Sequence, residues 1–291
     1  MAREIALLTN PTSGKGRGSA TAAAVLPRLT DAGISVRSIQ GRDATEAMDL
    51  ARAAVRDGVD SLVVVGGDGL VHLAAQALAG SSTRLGIIPC GTGNDVARTL
   101  DVPRRDARAA ADVVIGSRTR RIDLARCGTT YFVTVLAAGF DSLVTERANR
   151  MRRPRGQLRY TLATLAELRV FEPLPYLLEL DGAAREVEAM LVAVGNGPSF
   201  GGGLRITHGA SVEDGLLDVV IIKTMSKPGL VRTYPLLFTG AHTSHPAYEH
   251  HRVRSATVSA PGITAYADGE RVGPLPLTVD VEPLALEVLV P

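Results

Sequence analysis

The stretch from Ser61 to Gly69, Ser-Leu-Val-Val-Val-Gly-Gly-Asp-Gly, constrains this chain more than any other. Leu62 to Val65 is a short, β-branched apolar run, the pattern of a strand buried on both faces of a parallel sheet. It stops in Gly66, Gly67, Asp68 and Gly69, and a helical pattern begins at Leu70, with Leu73, Ala74, Ala77 and Leu78 on one face. A strand that ends in glycines and turns into a helix presents backbone N–H groups with no Cβ in front of them. That suits a phosphate, and the helix dipole adds to the attraction. Asp68 alone would repel phosphate. It fits either as the holder of a divalent cation shared with the phosphates or as the cap of a tight turn.

The first half repeats this alternation. Ile5–Leu8, Ile34–Ile39, 61–66 and Leu85–Pro89 read as strands, with helical stretches over 19–31, 45–56 and 70–78 between them. Such βαβ units predict a parallel sheet with right-handed crossovers, and ligands then sit outside the carboxyl ends of the strands. The glycine-rich loops 9–18, 66–69 and 90–95 all fall at those ends, which predicts a nucleotide site. Neither Gly-x-x-x-x-Gly-Lys-Ser/Thr nor Gly-x-Gly-x-x-Gly occurs in them. Lys15 and Arg17 suit phosphate contact and suit plain solvation equally.

After Asp123 short strands dominate. Arg121–Arg126, Tyr131–Ala137, Tyr176–Leu180, Ala189–Val194, Leu217–Ile222, Val253–Val258 and Leu277–Val281 are separated by Gly, Pro and Asp turns, the spacing of a sandwich. Helices are expected over 142–151, 157–170 and 227–239, and a last strand over 284–290 returns to either domain. The boundary falls at 124–125, giving an α/β domain over 1–124 and a β-sandwich domain over 125–291. Gly195-Asn196-Gly197 and Gly201-Gly202-Gly203 form a glycine-dense loop. Asp214-Gly215-Leu216 and Ala267-Asp268-Gly269-Glu270 read first as Asp-Gly turns, and second as a cation site and a general base respectively.

Composition narrows the function. The chain has 291 residues and a net charge of +2, which argues against general nucleic-acid binding. No apolar run reaches the ~18 residues needed to cross a bilayer, and Met1–Ile5 is not a signal peptide. Cys90 and Cys127 have no metal-ligand or disulfide spacing. A reduced, cytoplasmic protein is expected. His242, His245, His250 and His251 span a proline and a loop rather than one helix face, so they are not read as a metal site. His72 reads as a solvated helix histidine.

Taken in order, Asn10-Pro11-Thr12-Ser13-Gly14, Gly66-Gly67-Asp68-Gly69, Gly91-Thr92-Gly93-Asn94-Asp95, Asn196-Gly197 with Gly201-Gly202-Gly203, Asp214-Gly215-x-Leu217 and Asp268-Gly269-Glu270 resemble the soluble bacterial branch of the diacylglycerol kinase family. The resemblance covers nearly the whole chain. Gly-Gly-Asp-Gly by itself is shared with NAD kinases and phosphofructokinases; the ordered set is specific. It implies an α/β domain like that of those kinases followed by a β-sandwich, with ATP and a lipid headgroup meeting in the cleft. It assigns Asn10, Pro11, Thr12, Ser13 and Gly14 to a first ATP loop. Gly66, Gly67 and Gly69 fall in the phosphate loop, and Gly91, Thr92, Gly93 and Asn94 in a further nucleotide loop. Asp68, Asp95 and Asp123 match an acidic network around catalytic Mg²⁺. Asp268 matches the proposed general base, with Glu270 beside it among the nucleotide-contacting residues. Asp214 and the Leu216 carbonyl match a structural Mg²⁺ site whose third contributor is here Ser211, a hydroxyl in place of a carboxylate. The family usually carries threonine after Gly-Gly-Asp-Gly and a polar pair soon after, where this chain has Leu70, Val71 and His72.

The reaction so implied is in-line transfer from ATP to the primary hydroxyl of diacylglycerol, giving phosphatidic acid. Alternatives are a kinase of a sphingoid base or another glycerolipid, or a relative that binds without phosphorylating. A lipid substrate implies work at a membrane surface, peripheral to the inner membrane. The basic run Arg147–Arg159, followed by Leu158, Leu162, Leu165 and Leu168, fits either a surface helix on anionic lipid or core packing with a solvated rim. The resemblance also hints at a homodimer.

Overall fold

A computed structural model of the chain describes residues 3–10, 13–151, 153, 162–163, 166–167 and 172–291, with only the backbone described at 13–15, 141 and 149. Pro11, Thr12, Arg152, Arg155 and most of the helix expected over 157–170 lie outside the described residues. β1 (Glu4–Thr9), β2 (Ser35–Gln40), β3 (Ser61–Gly66) and β4 (Arg84–Pro89) run parallel in the order β2-β1-β3-β4. Every residue of β3 is buried, as its unbroken apolar run requires. Helices α1 (Ser13–Asp31), α2 (Ala44–Arg56) and α3 (Asp68–Leu78) make the crossovers, and α4 (Asp95–Thr99) and α5 (Ala107–Gly116) follow β4. Helix α2 starts where Asp43 accepts the Glu46 N–H at 2.9 Å, an ordinary carboxylate cap.

The expected loop over 9–18 is shorter than its glycines suggest. Helix α1 opens at Ser13 and takes Gly14 to Gly18 into its first turns. A Pro-Thr-Ser start followed by an alanine-rich run favours the earlier beginning.

The second half is built on β5 (Thr119–Cys127), β6 (Thr130–Phe132), β7 (Val135–Gly139), β8 (Leu174–Leu180) and β9 (Ala183–Gly195). It continues with β10 (Leu217–Lys223), β11 (Tyr248–Val253), β12 (Ser255–Ser259), β13 (Thr264–Ala267), β14 (Glu270–Pro274) and β15 (Leu277–Leu289). Strand β9 is the hub, pairing antiparallel with β8 over its first half and with β7 and β10 over its second. Phe132, Tyr176, Leu178, Val192, Val194, Leu217, Val219 and Val279 fill the core on one side of it. Ala193, Ile206 and Val220 pack on the other, beneath Leu230 and Leu237. Helix α6 (Phe140–Arg150) follows β7.

Two expectations change here. The separate strands expected at 277–281 and 284–290 are one strand, broken only by a register shift between Glu282 and Leu286, with Leu284 at φ +52° and exposed. That bulge lets β15 pair with β12 near its start and with β4 through Val288↔Leu85 near its end. Conversely, the strand expected over 253–258 is interrupted at Arg254, where the backbone N–H turns aside to the Asp181 carboxylate.

Asn196, at the end of β9, is fully buried. Its N–H donates to the Thr134 carbonyl at 2.8 Å, and its side-chain amide donates to the Asp123 carbonyl at 3.0 Å and the Val133 carbonyl at 2.9 Å. One side chain thus fastens β5, the β6–β7 junction and β9 together. Asn196→Ala should cost about 2–4 kcal/mol, because two buried carbonyls lose a donor. The check is a lower urea midpoint at unchanged slope; a loss under about 0.5 kcal/mol would contradict the assignment.

Candidate active site

The carboxyl ends of β3 and β4 bring the first two glycine loops into contact. Gly67, the extended N-cap of α3, lies so close to Gly91 that a Cβ built on Gly91 would sit 2.5 Å from the Gly67 Cα. Gly91 does not tolerate a side chain, and a Cβ on Gly67 would be tight at 3.1 Å from the Gly91 Cα. The 90–95 loop is held by Asn94, in the left-handed region at φ +52°, whose Oδ1 accepts the Gly91 N–H and whose Nδ2 donates to the Gly91 carbonyl, both at 3.0 Å. Thr92 is exposed at the tip of that loop. Asn10 lies one residue past the Thr9–Val65 pairing of β1 with β3. Leu70 faces away from this surface. It is buried in the α/β core, with its Cδ2 against Gly66, so its lack of a hydroxyl is a matter of packing beneath the loop.

Two carboxylates converge on Gly93. A Cβ there would come within 2.7 Å of Asp68 Oδ2 and 3.3 Å of Asp95 Oδ2. Asp68 Oδ1 also accepts the Val96 N–H at 3.3 Å. Asp95 Oδ2 accepts the Gly202 N–H at 2.6 Å, and its Oδ1 faces Arg98 Nε at 3.4 Å. The third glycine loop, from the second half of the chain, therefore closes over the first two. Burial, and after it the neighbouring Asp95 charge, pushes the Asp68 carboxyl up to about 6.

The Asp268-Gly269 turn is a hairpin, with Ala267 paired to Glu270 and both central residues at positive φ. It is also a buried charge. Asp268 Oδ1 accepts the Thr134 N–H at 2.8 Å and the Thr134 hydroxyl at 2.6 Å. Its Oδ2 accepts the Val133 N–H at 3.0 Å and faces His72 Nδ1 at 3.2 Å. Desolvation alone would raise this carboxyl, but the bonds from His72, Thr134 and Val133 outweigh it and hold it below the usual carboxylate range. His72 is consequently not a solvated helix residue: its side chain is 12% exposed and turned into the cleft. It lies four residues after Asp68, on the same helix face. Gln76, a turn further, donates to the Tyr131 carbonyl at 2.6 Å and accepts the Tyr131 N–H at 2.8 Å, docking α3 on β6. Glu270 reaches the same place from β14: a Cβ on Gly69 would lie 2.8 Å from its Oε1.

Asp123 stands apart from Asp68 and Asp95. Its carboxylate accepts the Gly215 N–H and the Leu284 N–H, each at 2.8 Å, so it braces a turn rather than extending the acidic pair. Asp214 accepts the Leu216 N–H at 3.1 Å and pairs with Arg252. One Asp214 oxygen is on the Leu216 N–H and the other on Arg252, and the Ser211 hydroxyl accepts the Glu213 N–H at 3.3 Å, so these side chains are fastened to the protein's own groups and no cation is assigned to Asp214 and Leu216. The Asp68–Asp95 pair does fit Mg²⁺, which is commonly held by one or two carboxylates together with substrate phosphates. Among the described residues no three His, Cys, Asp or Glu side chains form a cage without such a substrate. The later histidines have separate partners: His242 the Ile206 carbonyl, His245 the Ala247 N–H, His250 Asp218, and His251 both Glu249 and Arg185.

Residues 4–127 match the family model described as "Diacylglycerol kinase catalytic domain", and residues 134–290 match "YegS C-terminal NAD kinase beta sandwich-like domain". The chain is 45% identical to a Mycobacterium tuberculosis protein named "Diacylglycerol kinase", over 99% of this chain and 95% of that one. It is 30% identical to a Bacillus subtilis protein of the same name, over 93% and 90%. The crystal structure of a diacylglycerol kinase from Bacillus anthracis superposes with a TM-score of 0.76 at 20% identity, covering 100% of this chain and 97% of that one, and so shares the fold.

The raised Asp68 carboxyl carries a stability prediction. Its folded pKa of about 6 lies above its ordinary value of 3.8, so the folded state binds the extra proton and loses stability as pH rises from about 4 through 6. Asp68→Asn removes that penalty. Without Mg²⁺ or nucleotide, the variant should be more stable than the wild type at pH 7.5 by about 1–3 kcal/mol, and no more stable at pH 4. Thermal melts at both pH values decide it, and a wild type more stable at pH 7.5 would refute it.

Proposed function

The chain belongs to the bacterial diacylglycerol kinase family and is a lipid kinase using ATP; on that footing we propose that it phosphorylates the primary hydroxyl of diacylglycerol to give phosphatidic acid. The observation that carries the reading is the meeting of the three glycine loops, the Asp68–Asp95 pair and the Asp268 cluster at one rim of the parallel sheet. The glycines at 67, 69, 91 and 93 let the loops and their carboxylates close up around the α3 N-terminus, whose backbone N–H groups suit phosphate oxygens. Asp68 and Asp95 would hold Mg²⁺, which supplies charge neutralisation of the phosphates. The lipid hydroxyl enters from the β-sandwich side and attacks the γ-phosphorus in line, while its proton departs toward the Asp268 cluster. In-line transfer asks little of the protein beyond position and field, and both are built into these loops before substrate arrives.

A substrate in a bilayer has to be met at its surface. Among the described residues no helix is long and apolar enough to cross a membrane. Beyond β10, the helix Lys227–Thr233 and the 3-10 turn Tyr234–Phe238 expose Val231, Tyr234, Leu236 and Phe238, four large apolar side chains within eight positions. Lys227 and Arg232 lie on the same segment. Such a segment suits shallow insertion among anionic headgroups. Of the basic run that fits either a lipid surface or a solvated rim, Arg147 pairs with Glu167 and Arg150 with Glu146.

The test is ADP release by the purified protein with Mg-ATP and mixed micelles of diacylglycerol, monoacylglycerol or a sphingoid base. The fastest turnover should be on diacylglycerol, with phosphatidic acid as product, and Asp68→Ala should lose it by about 10²-fold or more. Faster turnover on the sphingoid base, or none on any lipid hydroxyl, would overturn the reading.

A further inference from the structure

The Asp268 cluster raises a question of access. A carboxylate offers about four lone-pair positions, and Asp268 has four donors on them: the Thr134 N–H, the Thr134 hydroxyl, the Val133 N–H and the His72 ring. Its side chain is 0% exposed. A substrate hydroxyl reaches it only by displacing a donor. Three of the four are fixed by the β6–β7 junction. The fourth, His72, is the one on a separate element, α3, and is itself partly exposed.

The bond also sets the imidazole tautomer. An ionised carboxylate accepts, so His72 Nδ1 carries the proton, and its Nε2 is left with a lone pair. No hydrogen bond to Nε2 is recorded among the described residues, whose one polar contact to this ring is Nδ1 to Asp268. The carboxylates around it are Asp268 behind, Glu270 at Gly69 beside, and Asp68 one turn back on α3.

Resting on the lipid-kinase reading above, we propose that His72 is the proton acceptor of the reaction and that Asp268 is its positioning residue. As the lipid oxygen bonds to the γ-phosphorus, its O–H bond breaks. The proton passes to His72 Nε2, and the O–H electron pair stays on the oxygen. The bond from the γ-phosphorus to the bridging oxygen breaks, and that pair leaves with ADP. The imidazolium so formed faces the Asp268 carboxylate until it returns the proton to water. A carboxylate behind an imidazole, holding its tautomer and stabilising the cation, is the division of labour known from hydrolytic triads.

The experiment is steady-state phosphorylation of diacylglycerol micelles by the full chain: wild type, His72→Gln, His72→Ala with and without imidazole, and Asp268→Asn. Absence of wild-type turnover overturns the lipid-kinase reading and this inference with it. With an active wild type, His72→Gln should lower kcat by about 10²-fold or more at nearly constant KM for ATP and lipid. Imidazole should restore part of the His72→Ala rate. The acid limb of the wild-type kcat profile should shift with temperature as an imidazolium does, a reading that needs no variant to fold. A His72→Gln kcat within about threefold of wild type, or an acid limb insensitive to temperature as for a carboxyl group, would return the role to Asp268.

Discussion

The buried Asp268 carboxylate is the interaction on which the rest of this structure depends. An ionised group without solvent is tolerated only where each lone pair is met, and here three distant places meet, two that donate and one that accepts. His72 belongs to α3 of the α/β half, Val133 and Thr134 to the β6–β7 junction, and Asp268 itself to the β13–β14 hairpin. Moving α3 away from the sandwich would leave a buried charge short of a partner. The two halves are therefore held together by a buried hydrogen bond as well as by the apolar contacts of Val133 and Val212 with the α/β core. Asp95 does the same at the other end, where its carboxylate accepts the Gly202 N–H.

Around these two anchors the glycines solve a problem of distance. Gly67 and Gly91 touch through their Cα atoms, and Gly93 is pressed against two carboxylates. Any side chain there would part the loops or fill the space a phosphate needs. Two carboxylates brought this close repel one another, and burial adds to the cost. The raised Asp68 carboxyl records both. Such a site is unfavourable when empty and favourable when a cation and phosphates are present, which is the balance a phosphoryl-transfer enzyme uses.

What the sequence made readable was local. The β3 run, the glycine loops and the Asp-Gly turns carry their meaning within a few residues, and the structure has β3, the 66–69 and 90–95 loops and the Asp268 hairpin where the pattern puts them, while most of the expected 9–18 loop is helix. Where long-range pairing decides, the pattern was silent. His72 read as solvated because nothing near it shows that Asp268, 196 positions away, lies against its ring. Thr134 had no local signature, and Asn196 stood out only as part of a glycine-dense motif, since their roles are fixed by segments that meet only after folding. Leu70 looked like a missing hydroxyl and is a core side chain. Asp123 and Asp214 looked like metal ligands, but their oxygens hold turns and an arginine. A carboxylate beside a glycine has both uses, and only the surrounding N–H groups tell them apart.

The most direct measurement is nitrogen-15 NMR of the histidine side chains in the full chain, with His72 assigned by its loss in His72→Gln. The account predicts that the neutral imidazole carries its proton at Nδ1, with Nε2 bare, and that the tautomer switches or becomes mixed in Asp268→Asn. A His72 protonated at Nε2, or one unchanged when Asp268 is replaced, would contradict it.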